Sequence, residues 1–395
     1  MEAGADGVVP AGSGPAADAA SAEVAPFGGG ALLFEQASTH VRAVASARLC
    51  MGPTVPEATR AVKRYDGARI RMLGTYPTPV EPLASLSRPG SALWVKRDDL
   101  TSPTYGGNKV RKLERLLARA KERGASRVLT VGAVGSHLVL ATAVFGKRLG
   151  LAVDAVLLPQ PRTLHVVDDV RADLALGLRA LPARSYAHAT LRVAAELAAR
   201  RAFFIPVGAS NVLGSLGYVD AVRELALQVR SGAMPEPDLI IVTLGSGGTA
   251  GGIAAGLALE RMKTRVVGVT VAEPLALLAG AARHLAVRCV RYLGGTAPTR
   301  TIVARLEADG RWVGPGYGSS TAHGDRATKL AAGVGLTLDP TYTAKAFAAA
   351  LDAVEHGRGA TILYWHTLSS APMGPLLIGA PSEEELSPSV RGLLR

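Results

Sequence analysis

Two hydrophobic periods alternate along the chain from about residue 70. Short runs that are almost wholly apolar or β-branched, such as Arg127-Val128-Leu129-Thr130-Val131, read as strands buried on both faces. Between them lie stretches with apolar residues every third or fourth position, the pattern of a helix with one face on a core. The pattern predicts strands over 93–96, 127–131, 153–158, 239–243 and 266–271, and helices over 109–123, 138–149, 166–176, 191–202 and 249–259. Apolar strands alternating with helices imply an α/β fold: open, mostly parallel twisted sheets flanked by helices. Upstream, residues 1–30 are Ala, Gly, Pro and Ser with almost no large apolar side chain, too little to offset the entropy of ordering. A disordered start is therefore expected, followed by a helix-like stretch at 34–49 within an N-terminal extension over 1–67.

Two charge-free segments, 128–146 and 239–259, approach the length of a membrane span. Each reads instead as a strand, a glycine-containing turn and an Ala/Leu-rich helix, and exposed glycine clusters with Ser and His are costly against lipid. No membrane contact is expected.

Three glycine-rich junctions each follow an apolar strand and open a helix, where ligands of open α/β sheets bind. The first is Gly106-Gly107-Asn108-Lys109-Val110-Arg111-Lys112. Spacing alone allows a plain helix start there, with Asn108 as cap and solvated lysines. In the second, Gly132-Ala133-Val134-Gly135-Ser136-His137, free N–H groups at a helix start suit a carboxylate or phosphate, and simple capping by Ser136 is the alternative. The third, Gly245-Ser246-Gly247-Gly248-Thr249-Ala250-Gly251-Gly252, lets the backbone wrap an anion at the positive end of a helix. It also fits a dinucleotide fingerprint, with Gly245, Gly247, Ala250 and a later Glu273. Glycines do not decide between the two.

Length and composition narrow the choice. With 395 residues, 48% of them hydrophobic, the chain can bury two cores of ordinary size. The net charge of +12 is scattered, and the run Arg111, Lys112, Arg115, Arg119, Lys121, Arg123 alternates with leucines as the solvated face of a helix does, so no nucleic-acid partner is expected. Cys50 and Cys289 are far apart and no Cys or His falls at metal-ligand spacing, so neither a disulfide framework nor a metal site is expected. Glu2 and Asp6 stand where a signal peptide needs basic residues, which points to the cytoplasm.

The junctions occur in one order with Tyr76-Pro77-Thr78-Pro79, Lys96-Arg97-Asp98-Asp99-Leu100, Pro206-Val207-Gly208-Ala209-Ser210-Asn211, Gly314-Pro315-Gly316-Tyr317-Gly318, Asp339-Pro340-Thr341-Tyr342-Thr343-Ala344-Lys345 and His366-Thr367. In that combination the chain resembles the pyridoxal phosphate enzymes of the tryptophan-synthase-β type, and among them the D-cysteine desulfhydrase and 1-aminocyclopropane-1-carboxylate deaminase family. The resemblance runs from Tyr76 to Leu376. It implies two domains, a large cofactor-binding one over 68–111 and 222–395 and a small one over 112–221, in a homodimer. It implies pyridoxal 5'-phosphate as cofactor, carried by Lys109, with Lys112 as a structural second lysine.

Further roles follow from the same resemblance. Gly245, Ser246, Gly247, Gly248 and Thr249 would hold the phosphate, with Asn108 beside the cofactor. Ser136 would meet the substrate's α-carbon or carboxylate, Tyr317 and Tyr342 would line the substrate side, and Thr343 and Thr367 would lie near the pyridine nitrogen. His137 stands where the family has an Asn that contacts the phenolic oxygen, a contact a ring N–H can supply. Leu368 and Ser369 replace a glycine pair, adding side chains where backbone alone should pass. Ring-opening deaminases carry a glutamate at position 343 and a leucine at 367, so the threonines here favour loss of a β-leaving group such as sulfide, giving pyruvate and ammonia. The alternatives are a cyclopropane deaminase, a cofactor-binding protein without catalysis, and a nicotinamide-dependent oxidoreductase.

Overall fold

The structure is a computed structural model that describes residues 73–395. The expected N-terminal extension, its disordered start and Cys50 lie outside the described residues. In chain order the strands are β1 (Val80–Pro82), β2 (Ala92–Arg97), β3 (Arg127–Ala133), β4 (Ala152–Leu158), β5 (Arg179–Pro182), β6 (Phe203–Ile205), β7 (Leu239–Leu244), β8 (Arg265–Thr270), β9 (Leu306–Asp309) and β10 (Thr361–His366). The helices are α1 (Asn108–Glu122), α2 (His137–Arg148), α3 (Leu164–Ala175), α4 (Tyr186–Arg200), α5 (Val212–Arg230), α6 (Gly248–Leu259), α7 (Leu275–Tyr292), α8 (Thr299–Val303), α9 (Ala322–Ala332), α10 (Thr343–Glu355) and α11 (Pro388–Arg391).

The larger sheet has the order β1-β2-β10-β7-β8-β9 and is parallel except where β1 runs against β2. Ile362 of β10 sits opposite Leu93 on one side and Leu239 on the other, all three wholly buried. Helices α5, α6 and α7 cover one face through Leu216, Val222, Ile253 and Ala282, while α10 covers the other through Phe347 and Ala350. The smaller sheet, β5-β4-β3-β6, is parallel throughout. Leu113, Val139 and Phe145 of α1 and α2 pack on one of its faces, and Val193 of α4 packs on the other. This is the expected α/β class with both sheets covered.

The expected divisions after residues 111 and 221 fall inside α1 and α5, two helices that pack on each other. Leu386, Val390 and Leu393, near the C-terminal end, join the apolar cluster of the smaller sheet. Gln160 grips this segment at both backbone atoms: its N–H donates to Leu393 O (3.0 Å) and its carbonyl accepts from Arg395 N–H (3.1 Å).

The solvated-face reading of α1 needs correction at its start, because Arg111 and Lys112 are buried. Arg111 is held under the sheet by carboxylates: Nε donates to Asp98 Oδ2 (2.9 Å), Nη2 to Asp98 Oδ1 (2.7 Å) and Nη1 to Glu224 Oε2 (3.0 Å). Asp98 also accepts from Thr78, Tyr218 and Trp365. Burial alone would push this carboxyl up, but the Arg111 guanidinium and these donors hold it below the usual range. A buried charge survives only when so fully partnered.

Candidate active site

The C-terminal ends of β3, β7 and β10 open onto one cleft between the sheets, about 1180 Å³ including space continuous with solvent. The residues to which the resemblance gives a catalytic or cofactor-binding role line it: Asn108, Lys109, Ser136, His137, Gly245, Ser246, Gly247, Gly248, Thr249, Tyr317, Tyr342, Thr343 and Thr367. Tyr186, Asp339, Lys112 and Leu368 line it too.

Helix α1 begins with Asn108 itself, so Gly107, at φ 86°, is the cap residue in place of Asn108. That leaves the Asn108 side chain free to bridge two elements: its Nδ2 donates to Thr249 Oγ1 (3.2 Å) and its Oδ1 accepts from Lys109 Nζ (2.8 Å). Enclosure by protein pushes the Lys109 amine down to about 8, partly offset by the charge of Asp339. One turn on, Lys112 Nζ donates to Gly208 O (3.0 Å). Burial first, and Lys109 second, push its amine well below the ordinary lysine value. Neither lysine has a carboxylate partner among the described residues.

The glycine loop after β7 lies against these amines. Gly247 has φ 86°, and a Cβ there would stand 2.9 Å from Ala282 N. A Cβ on Gly248 would stand 2.4 Å from Ser210 Oγ and 2.9 Å from Lys112 Nζ. Lys112 thus reaches the loop at the start of α6 while bonding the backbone of Gly208. Glu273, the acidic residue of a dinucleotide reading, is exposed and accepts from Leu275 N–H (2.9 Å), away from the cleft.

Ser136 occupies the cap position of α2 but makes no cap hydrogen bond, so the capping role that spacing allowed is not observed. His137 Nδ1 lies 3.0 Å from the Tyr105 hydroxyl. Burial, then His165, push its imidazole down to about 3, which keeps the ring neutral. Across the cleft the Tyr317 and Tyr342 hydroxyls are in contact. Burial pushes Tyr317 up to about 12 and Tyr342 well above the ordinary phenol.

Asp339 is the functional candidate that sequence reading missed. Its Oδ2 accepts from Thr343 Oγ1 (2.6 Å) and Thr343 N–H (3.1 Å), and its Oδ1 from Tyr342 N–H (2.6 Å). The signal was present in Asp339-Pro340-Thr341, an acidic residue and a proline just before a helix start. The Leu368-Ser369 departure resolves into two parts. Ser369 Oγ accepts from Gly106 N–H (2.8 Å), while Leu368 lines the cleft.

The family model described as pyridoxal-phosphate dependent enzyme matches residues 71–367. A protein named D-cysteine desulfhydrase from Klebsiella pneumoniae is 34% identical over 319 residues, 76% of this chain and 93% of that protein. One of the same name from Salmonella paratyphi A is 34% identical over 318 residues, with the same coverage of 76% and 93%. A solved structure of an ACC deaminase homologue, 30% identical, superposes with a TM-score of 0.68 over 83% of this chain and 99% of that one. No described helix is long and apolar enough to cross a membrane.

Proposed function

The chain belongs to the pyridoxal-phosphate dependent enzymes, and from that premise we propose that it eliminates sulfide from a small D-amino acid of the D-cysteine type and, with uptake of one water, releases ammonia and pyruvate. When bound, the cofactor supplies an electron sink for the carbon bearing the substrate's amino group. The cleft's residues fit such a group: two enclosed amines without carboxylate partners beside a glycine loop are built for an anion.

Each residue has a task in this reading. Lys109, its amine down at about 8, bonds the cofactor and then holds the α-proton. Lys112 and residues 245–249 grip the phosphate. Ser136, with a hydroxyl not spent on capping, meets the substrate carboxylate. Neutral His137, with Nδ1 at the Tyr105 hydroxyl, would have Nε2 to donate to the cofactor's phenolic oxygen. Tyr317 and Tyr342 stay protonated and line the substrate side. Thr343 and Thr367, which line the cleft, would face the cofactor's pyridine end.

The observation that carries elimination over ring opening is the state of Asp339. Its carboxylate already accepts three hydrogen bonds from the start of α10, two of them from Thr343. A carboxylate satisfied in this way gives less charge to a pyridine nitrogen, so the sink is weaker and suits a good leaving group such as thiolate. The test supplies D-cysteine, β-chloro-D-alanine and 1-aminocyclopropane-1-carboxylate separately and measures pyruvate against 2-oxobutyrate. Pyruvate from the first two is expected, and efficient 2-oxobutyrate from the third would reverse the assignment. The proposed assembly is a homodimer, to be checked by light scattering.

A further inference from the structure

Behind the wall of the cleft, α3 carries His165, Asp169 and Asp173 at intervals of four, one above another on a single helix face. Asp169 and Asp173 are wholly buried, and none of their four carboxylate oxygens has a hydrogen-bond partner among the described residues. A buried carboxylate left in this state is costly unless something positive meets it. Two imidazole nitrogens stand close to one of these oxygens: His165 Nε2 is 3.4 Å and His137 Nδ1 3.9 Å from Asp169 Oδ2. His165 Nε2 is itself buried and without a hydrogen bond, although a carboxylate oxygen stands within reach.

That combination, close approach without mutual aim, is what ligands of a common ion show. Atoms bound to one tetrahedral Zn²⁺ at the usual ligand distances stand about 3.3 Å apart, with lone pairs pointing to a shared centre and not at each other. The three ligand atoms of His137, His165 and Asp169 all lie within 4.8 Å of one another. We propose that these three residues form a site for a divalent transition-metal ion such as Zn²⁺, tying the start of α2 to α3. Two imidazoles and one carboxylate select this class over Mg²⁺ or Ca²⁺, which favour oxygen ligands. The ion takes the place of the Tyr105 hydroxyl at His137 Nδ1, with Asp173 one turn below Asp169 on the same helix face. Residues 137 and 165 are far apart in the chain, so sequence spacing could not reveal the set.

The test uses the purified holoenzyme, stripped with EDTA, dialysed, and titrated with Zn²⁺ or Co²⁺. Bound metal is counted by plasma mass spectrometry, and the Co²⁺ form is followed by its visible ligand-field bands. One ion per chain is expected in the wild type. His165→Ala and Asp169→Asn should each weaken binding by more than about tenfold, while Asp168→Asn, on the neighbouring partly exposed side chain, should not. His165 is partly exposed, so its replacement tests binding with the fold intact, and retained cofactor absorbance verifies that. Equal metal content in the wild type and both ligand variants, or no Zn²⁺ held by the wild type at micromolar free metal, overturns the proposal.

Discussion

Lys109 differs from a surface lysine in one respect, the enclosure that pushes its amine down to about 8. At neutral pH roughly a tenth of such an amine is unprotonated and nucleophilic, against far less for an ordinary lysine. Because the protonated amine cannot attack an aldehyde, covalent loading of cofactor into the apoprotein should accelerate as pH rises towards about 8 and level off above it, read by visible absorbance. Lys109→Ala should lose that absorbance and nearly all activity; survival of a borohydride-reducible adduct would refute the role. His137, held neutral, should contribute no titration near its ordinary value. His137→Asn should keep cofactor affinity, whereas His137→Leu should weaken it or shift the spectrum; an unchanged Leu variant would reduce His137 to packing. Sequence resemblance was enough to single out both residues. It could not disclose the burial of Lys112, which depends on residues brought in from distant loops, whereas the Asp339 carboxylate bonds its near neighbours Tyr342 and Thr343 and was legible as the acidic residue before a helix start.

At the scale of elements, the junction of β7 with α6 shows how closely the backbone must pass. The methyl of Gly248→Ala would displace both Ser210 Oγ and Lys112 Nζ. Cofactor affinity should drop by more than about tenfold by fluorescence titration while the far-ultraviolet spectrum stays native, since the hydrogen bonds to the anion are lost and the helix is kept. The strands that sequence pattern revealed, such as β3, β4, β7 and β8, are apolar runs bounded by turns. Strand β10 escaped that reading although all six of its residues are buried. Its Tyr364, Trp365 and His366 carry polar atoms that do not read as interior from local pattern. Trp365 Nε1 finds its partner, Asp98 Oδ2 at 2.8 Å, far away in the chain.

Across the whole molecule, the Asp98, Arg111 and Glu224 network joins the edge of the larger sheet to α1 and α5. Removing Arg111 strands the buried carboxylate of Asp98 and takes a partner from the half-buried Glu224, and Arg111→Ala should cost about 3–5 kcal/mol by urea denaturation; a loss below about 1 kcal/mol would mean that Lys96 and the neutral donors suffice. The segment over 386–395 has a similar reach. Gln160, whose backbone grips that segment, turns its side chain the other way, and Oε1 accepts from Gly135 N–H (3.2 Å) in the turn that presents Ser136 and His137. Deleting 386–395 should therefore loosen cofactor binding as well as lower the melting temperature. Gln160 behaves as a double-sided clasp, with one side closed on the far end of the polypeptide and the other on the rim of the cleft. Carboxypeptidase trimming then becomes a clock for the pocket: if the clasp is real, cofactor fluorescence should decay in step with loss of the last residues, long before the sheets themselves come apart.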